Sequence, residues 1–145
     1  MKLVLQRVAR ASVCIDGRTV AETSKGLLIL LGVEKQDTPD KVHYLVDKVL
    51  TLRIFPDTQG KMNLSCLDIS GEVLVVSQFT LAGDCTKGRR PGFDNAAQPE
   101  EAESLYRQFI EKVSESGLTV KEGQFGADMK VELVNDGPVT FVLDR

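Results

Sequence analysis

The chain has 145 residues, 42% of them hydrophobic, which is enough to bury one core without disulfides or a metal. Its net charge of −3 argues against a broadly basic nucleic-acid binder, and no apolar stretch reaches the ~18 residues that a membrane helix needs. One histidine and three unpatterned cysteines argue against a zinc site or a disulfide framework, so a reducing, cytoplasmic setting is expected.

Leu3 to Val13 lacks helix caps and reads as a strand. Asp16-Gly17, between Val13-Cys14-Ile15 and Arg18-Thr19-Val20, suits a two-residue type I′ hairpin turn. Gly26 to Val33 is apolar on both faces and therefore reads as a central strand. Thr38, Pro39 and Asp40 announce a helix, with Val42, Leu45, Val46, Val49 and Leu50 as its apolar stripe, ending before Pro56. Pro56 to Gly60 is turn chemistry, and Val73 to Val76 is a buried strand running into Ser77.

Thr86 to Ala97 carries glycines and a proline and reads as a long functional loop. A second helix starts near Pro99, with Ala102, Leu105, Tyr106, Phe109, Ile110 and Val113 as its stripe and Gly117 as its stop. Leu118 to Lys121 begins a strand. Met129 to Val134 and Val139 to Leu143 read as the last two, joined across Asn135 to Pro138. The sum is one α+β domain over residues 1–145, mainly β and barrel-like, with two amphipathic helices packed on sheet.

The usual catalytic equipment is missing. Ser77 and Thr80 are candidate nucleophiles, but a hydroxyl needs an adjacent base. The only imidazole, His43, lies off the apolar stripe of its helix and reads as solvent-facing. Zinc catalysis wants three convergent ligands, and no ligand spacing is present. There is no Walker loop and no GxGxxG segment. What survives is electrostatic catalysis by oriented backbone and side-chain dipoles, with Ser77-Gln78-Phe79-Thr80 placed where a buried strand ends.

Taken together, Ser77-Gln78-Phe79-Thr80-Leu81 and Asn135-Asp136-Gly137-Pro138-Val139-Thr140 resemble the two signature motifs of the D-aminoacyl-tRNA deacylase family, of the D-tyrosyl-tRNA deacylase type. Met1 to Val8, Lys87 to Pro91, Phe93 to Ala97 and Gly123 to Met129 are similar to that family in order and spacing, so the likeness spans the chain.

The resemblance implies a homodimer that hydrolyses the ester of D-aminoacyl-tRNA, and of glycine carried by the wrong tRNA. The sequence itself gives no reason to require a cofactor or a metal, and neither DNA nor a membrane is expected as a partner. Ser77, Gln78, Phe79 and Thr80 would form the catalytic segment, with the ribose 2′-hydroxyl of the substrate assisting attack. Gly137 and Pro138, joined by a cis bond and inserted into the partner's site, would reject L-amino acids. Arg7 would brace that loop across the dimer, with Asn135 and Thr140 as further support. Phe125, Gly126 and Met129 would line the terminal adenosine pocket, and Lys87, Arg89 and Arg90 would meet acceptor-stem phosphates. Two other readings share these residues: a non-catalytic RNA-binding module, and a relative with a trans glycine-proline bond that edits small L residues.

Overall fold

The computed structural model describes all residues, 1–145. In chain order the elements are β1 (Lys2–Ile15), β2 (Arg18–Thr23), β3 (Gly26–Gly32), α1 (Pro39–Thr51), β4 (Phe55–Pro56), β5 (Met62–Leu64), β6 (Glu72–Ser77), α2 (Pro99–Ser114), β7 (Val120–Glu122) and β8 (Lys130–Asp144). The short strands β4 and β5 form a separate two-stranded sheet around the expected Pro56 to Gly60 turn, and the other six strands share one sheet. The hairpin between β1 and β2 turns on Asp16 and Gly17, both with positive φ (50° and 74°), as a type I′ turn requires.

Strand β1 is the spine. Its first half pairs antiparallel with β3, its second half with β2, and along its other edge runs β8. Strands β3, β6 and β7 are parallel. A parallel pair cannot be closed by a tight turn and needs a long crossover. The two crossovers contain α1 and α2, which lie against each other and fill one face of the sheet with their apolar stripes.

The alternation of β3 explains the layering. Leu27, Ile29 and Leu31 enter the large core under the helices, with Leu45, Val49, Tyr106 and Phe109. Leu28 points the other way, into a smaller core with Val8, Ala11, Val13, Leu74 and Val76. The β1–β2 hairpin curls over β6 and β7 to enclose this second core, which makes the sheet a nearly closed barrel. No helix is long and apolar enough to cross a membrane.

One expectation changes. Residues 130–144 form a single strand rather than two strands joined by a loop, and both halves pair with β1. Gln6 pairs with Thr140 and Val8 with Asn135, so Arg7 alone stands opposite the four residues Asp136 to Val139. The surplus leaves the ladder as a bulged excursion in an otherwise continuous strand. The Gly137–Pro138 bond within it is cis. Thr38 does occupy the N-cap of α1, but its hydroxyl makes no capping bond.

Asp37 ties the N-terminus to the start of α1. Its buried carboxylate accepts the Met1 ammonium, the Glu34 amide at 2.7 Å and Lys41 Nζ at 2.9 Å. Burial works against its charge, but these donors outweigh burial and hold its pKa below the ordinary carboxylate value. A depressed pKa stabilises the folded state at pH above the unfolded value near 3.9, and that contribution is lost as pH falls through the folded value. Replacing Asp37 by Asn should therefore cost about 3 kcal/mol in urea unfolding at pH 7, because it leaves the buried ammonium only the more distant Glu34 carboxylate at 3.3 Å as counter-charge. The gap between variant and parent should close as the pH is taken below 4; a gap independent of pH would show that the carboxylate's charge is not what stabilises.

Candidate functional site

Strand β6 ends at Ser77, where the chain turns sharply. The Gln78 amide donates to Leu31 O at 2.7 Å, and Phe79–Ala82 then form a single 3-10 turn. Gly32 makes this possible. A β-carbon there would sit 2.8 Å from Gln78 O and 2.9 Å from Leu81 Cβ, so only glycine lets the turn pack on the end of β3.

Beside the turn lies a cavity of about 500 Å³. Ser77, Gln78 and Phe79 form one wall, Ala102 and Tyr106 of α2 a second, and Phe125 to Met129 a third. The residues expected to be catalytic and those expected to hold adenosine, far apart in sequence, thus share one cavity. Thr80 begins just outside it, exposed, with its hydroxyl oxygen accepting Gln78 Nε2. The amides of Phe79 and Thr80 lie at the start of the turn and donate to nothing within the chain. His43 is exposed on α1 and takes no part in the lining, and no three His, Cys, Asp or Glu side chains converge anywhere.

Tyr106 is a wall that sequence reasoning placed only in the core. It is 1% exposed; its hydroxyl donates to Val75 O at 3.0 Å, and its ring tilts against Phe125 with centroids 5.7 Å apart. The same carbonyl accepts the Gly123 amide at 2.9 Å, so one acceptor joins α2, β6 and the segment leading to Phe125. Burial, then the nearby Glu122 charge, pushes the phenol pKa up, so Tyr106 remains a hydrogen-bond donor. A signal existed in the sequence: Tyr106 carries the one hydroxyl on the apolar stripe of α2, and a buried tyrosine hydroxyl needs a partner.

Arg7 and the bulge stand apart from the cavity. Arg7 is buried; Nε donates to Asp136 O at 2.8 Å and Nη1 to Ile54 O at 2.6 Å, with Asp136 Oδ2 at 3.4 Å. These bonds are made inside one chain, whereas the family resemblance implies a brace across a dimer. Asn135 Nδ2 donates to Arg7 O and Val139 O and so closes the neck of the excursion, while Gln6 Nε2 reaches Thr140 Oγ1 at 3.2 Å. Gly137 and Pro138 are exposed at its tip and line none of the cavity of their own chain.

Lys87, Arg89 and Arg90 are exposed on a loop whose ends, Asp84 and Gly92, exchange two backbone hydrogen bonds of 2.8 and 2.9 Å. The loop follows the 3-10 turn directly in the chain. None of the three forms an ion pair.

These features describe a small barrel-like α+β domain whose cavity offers amides, hydroxyls and aromatic surface. The family model described as D-Tyr-tRNA(Tyr) deacylase matches residues 4–144, and the chain belongs to that family. It is 60% identical over 144 residues to a D-aminoacyl-tRNA deacylase of Geotalea uraniireducens, covering 99% of this chain and 93% of that one. It is 58% identical to a D-aminoacyl-tRNA deacylase of Clostridioides difficile, with 99% and 97% covered. Among solved structures, one described as c-Myc DNA Unwinding Element Binding Protein superposes with a TM-score of 0.94 at 42% identity, over 100% of this chain and 99% of that one. A "probable eukaryotic D-amino acid tRNA deacylase" shares the fold, with a TM-score of 0.86 at 18% identity over 99% and 98% of the two chains.

Replacing Arg7 by Ala leaves the Ile54 and Asp136 carbonyls without their donor, and it should cost about 1–3 kcal/mol in urea unfolding. Lysine should not restore the loss, because a single ammonium lacks the fork that reaches two separated carbonyls. A fully stable Arg7→Ala protein would mean that the bulge holds itself.

Proposed function

We propose that this chain is a D-aminoacyl-tRNA deacylase, working as a homodimer and acting also on glycine attached to the wrong tRNA. The observation that carries the reading is the meeting of Ser77, Gln78 and Phe79 with Phe125, Gly126 and Met129 in one cavity, beside two amides free to donate. The terminal adenosine packs on Phe125 and Met129, whose aromatic and thioether surfaces suit a base. Lys87, Arg89 and Arg90 meet the acceptor-stem phosphates and position the substrate without reading its bases.

A water oxygen bonds to the ester carbon, and the charge that collects on the carbonyl oxygen is stabilised by the Phe79 and Thr80 amides. The bond to the ribose oxygen then breaks, and that oxygen takes the proton that the water gives up. The neighbouring 2′-hydroxyl of the substrate orients the water, so the protein needs no histidine. Thr80 has no adjacent base and is held by Gln78, which favours a binding role over nucleophilic attack.

The homodimer is supported by three features. β8 pairs with β1 only, so its other edge is unpaired on both sides of the bulge. Its Val142 is 73% exposed. Gly137 and Pro138 lie exposed on the same strand and line no part of their own cavity. In the dimer they enter the partner's site, where their carbonyls accept the substrate's α-amino group and leave no room for an L side chain. A D residue turns its side chain away, and glycine has none to clash.

One tRNA charged in parallel with D-tyrosine, L-tyrosine and glycine tests this in single turnover. The D and glycyl esters should be lost quickly and the L ester should survive. Equal loss of D and L would leave a hydrolase without a chiral filter; no loss of any ester by folded, dimeric protein would leave RNA binding as the activity. Thr80→Ala should keep activity within roughly threefold, whereas removal of a true nucleophile typically costs on the order of a thousandfold or more. Changing Lys87, Arg89 and Arg90 together to Ala should weaken tRNA binding. It should also flatten the dependence of log K on log salt by about one for each phosphate no longer neutralised; an unchanged slope would place the RNA elsewhere.

A further inference from the structure

We propose that Phe93 is a positioning residue for this reaction, acting through Phe79; the inference rests on the deacylase reading above. Phe79 is a large apolar side chain at the cavity mouth, 59% exposed, so burial alone does not fix it. Phe93 meets its ring edge to face, with centroids 5.0 Å apart and planes at 60°. The same Phe93 ring packs on Gly83, the residue that follows the turn: a β-carbon on Gly83 would lie 3.1 Å from Phe93 Cε1. One side chain therefore touches both ends of the 3-10 turn that presents the Phe79 and Thr80 amides.

Phe93 is itself anchored. Its carbonyl accepts the Ala96 amide at 3.0 Å, Asn95 O accepts the Lys35 amide at 3.0 Å, and the Ala97 amide donates to Val33 O at 3.1 Å. These bonds fasten the segment to the chain leaving β3, part of the sheet under the cavity. The basic loop is closed on itself by Asp84 and Gly92, so it hangs between the turn and Phe93 without supplying either contact. Phe93 thus joins a rigid part of the fold to a single turn whose ends are closed by Leu81 N donating to Gln78 O at 3.2 Å and Gly83 N donating to Thr80 O at 3.0 Å.

A misplaced donor lowers the rate of the chemical step more than it weakens binding. Phe93→Leu keeps apolar volume but loses the ring. It should lower kcat about tenfold, with KM for D-aminoacyl-tRNA changed less than about twofold, as expected for an interaction that acts in the transition state. Phe93→Tyr should restore the rate, and the salt dependence of binding should stay that of the parent. Amide hydrogen exchange gives a readout independent of activity: Leu81 and Gly83 should exchange faster in Phe93→Leu than in the parent, while β3 and β6 amides remain protected. Parental kcat in Phe93→Leu, a change in KM alone, or unaltered exchange at Leu81 and Gly83 would each overturn the proposal. A parent that cleaves no ester would instead overturn the deacylase reading, and exchange would still decide whether Phe93 holds the turn.

Discussion

One residue of β1 faces four of β8, and much of this structure follows from that mismatch. The ladder resumes on either side, with a second, smaller irregularity between Val8 and Arg10, so the surplus leaves the sheet between Asn135 and Thr140. Backbone groups taken out of a ladder still need partners. Arg7 donates to Asp136 O and Asn135 donates to Arg7 O and Val139 O, which closes the excursion and leaves Gly137 and Pro138 at its tip. Arg7 also reaches Ile54 O beyond the end of α1, so the helical layer and the bulge share one side chain.

The cavity has a different origin. The parallel strands β3 and β6 end side by side at Gly32 and Ser77, and the crossover that must follow β6 carries the chain away over α2. Space is left between the strand end, the helix and the segment before β8. Tyr106 spans it, and Gly32 lets the 3-10 turn sit close to the sheet. The polar groups that line it are amides, hydroxyls and one exposed carboxylate, Asp128, which faces Lys130 at 3.2 Å. Such a lining offers fixed dipoles and no imidazole placed for proton transfer.

Much of this was legible in the residue order. The Asp16-Gly17 turn, both apolar stripes and the two-faced pattern of β3 are local signals, since each depends on a period or on a φ value that few residues adopt. Other features left no local trace. Val139 to Leu143 looks the same whether it forms a new strand or resumes an old one; only pairing with β1 decides. The bond from Arg7 to Ile54 O joins residues 47 apart, and no pattern in either segment announces it. Ser77 to Thr80 read as a strand end, but the 3-10 turn depends on the empty space above Gly32, a property of a neighbouring strand.

Residue order alone settles the main elements, the two buried faces of the central strand, and the family, because hydrophobic period, turn chemistry and motif order are written residue by residue. Where the chemistry sits is a matter of packing. It brings Ser77 to Phe79 and Phe125 to Met129 around one cavity and leaves Gly137 and Pro138 out of its lining. Such placement is fixed by long-range pairing, in which a residue's position depends on partners across the sheet rather than on its neighbours in the chain.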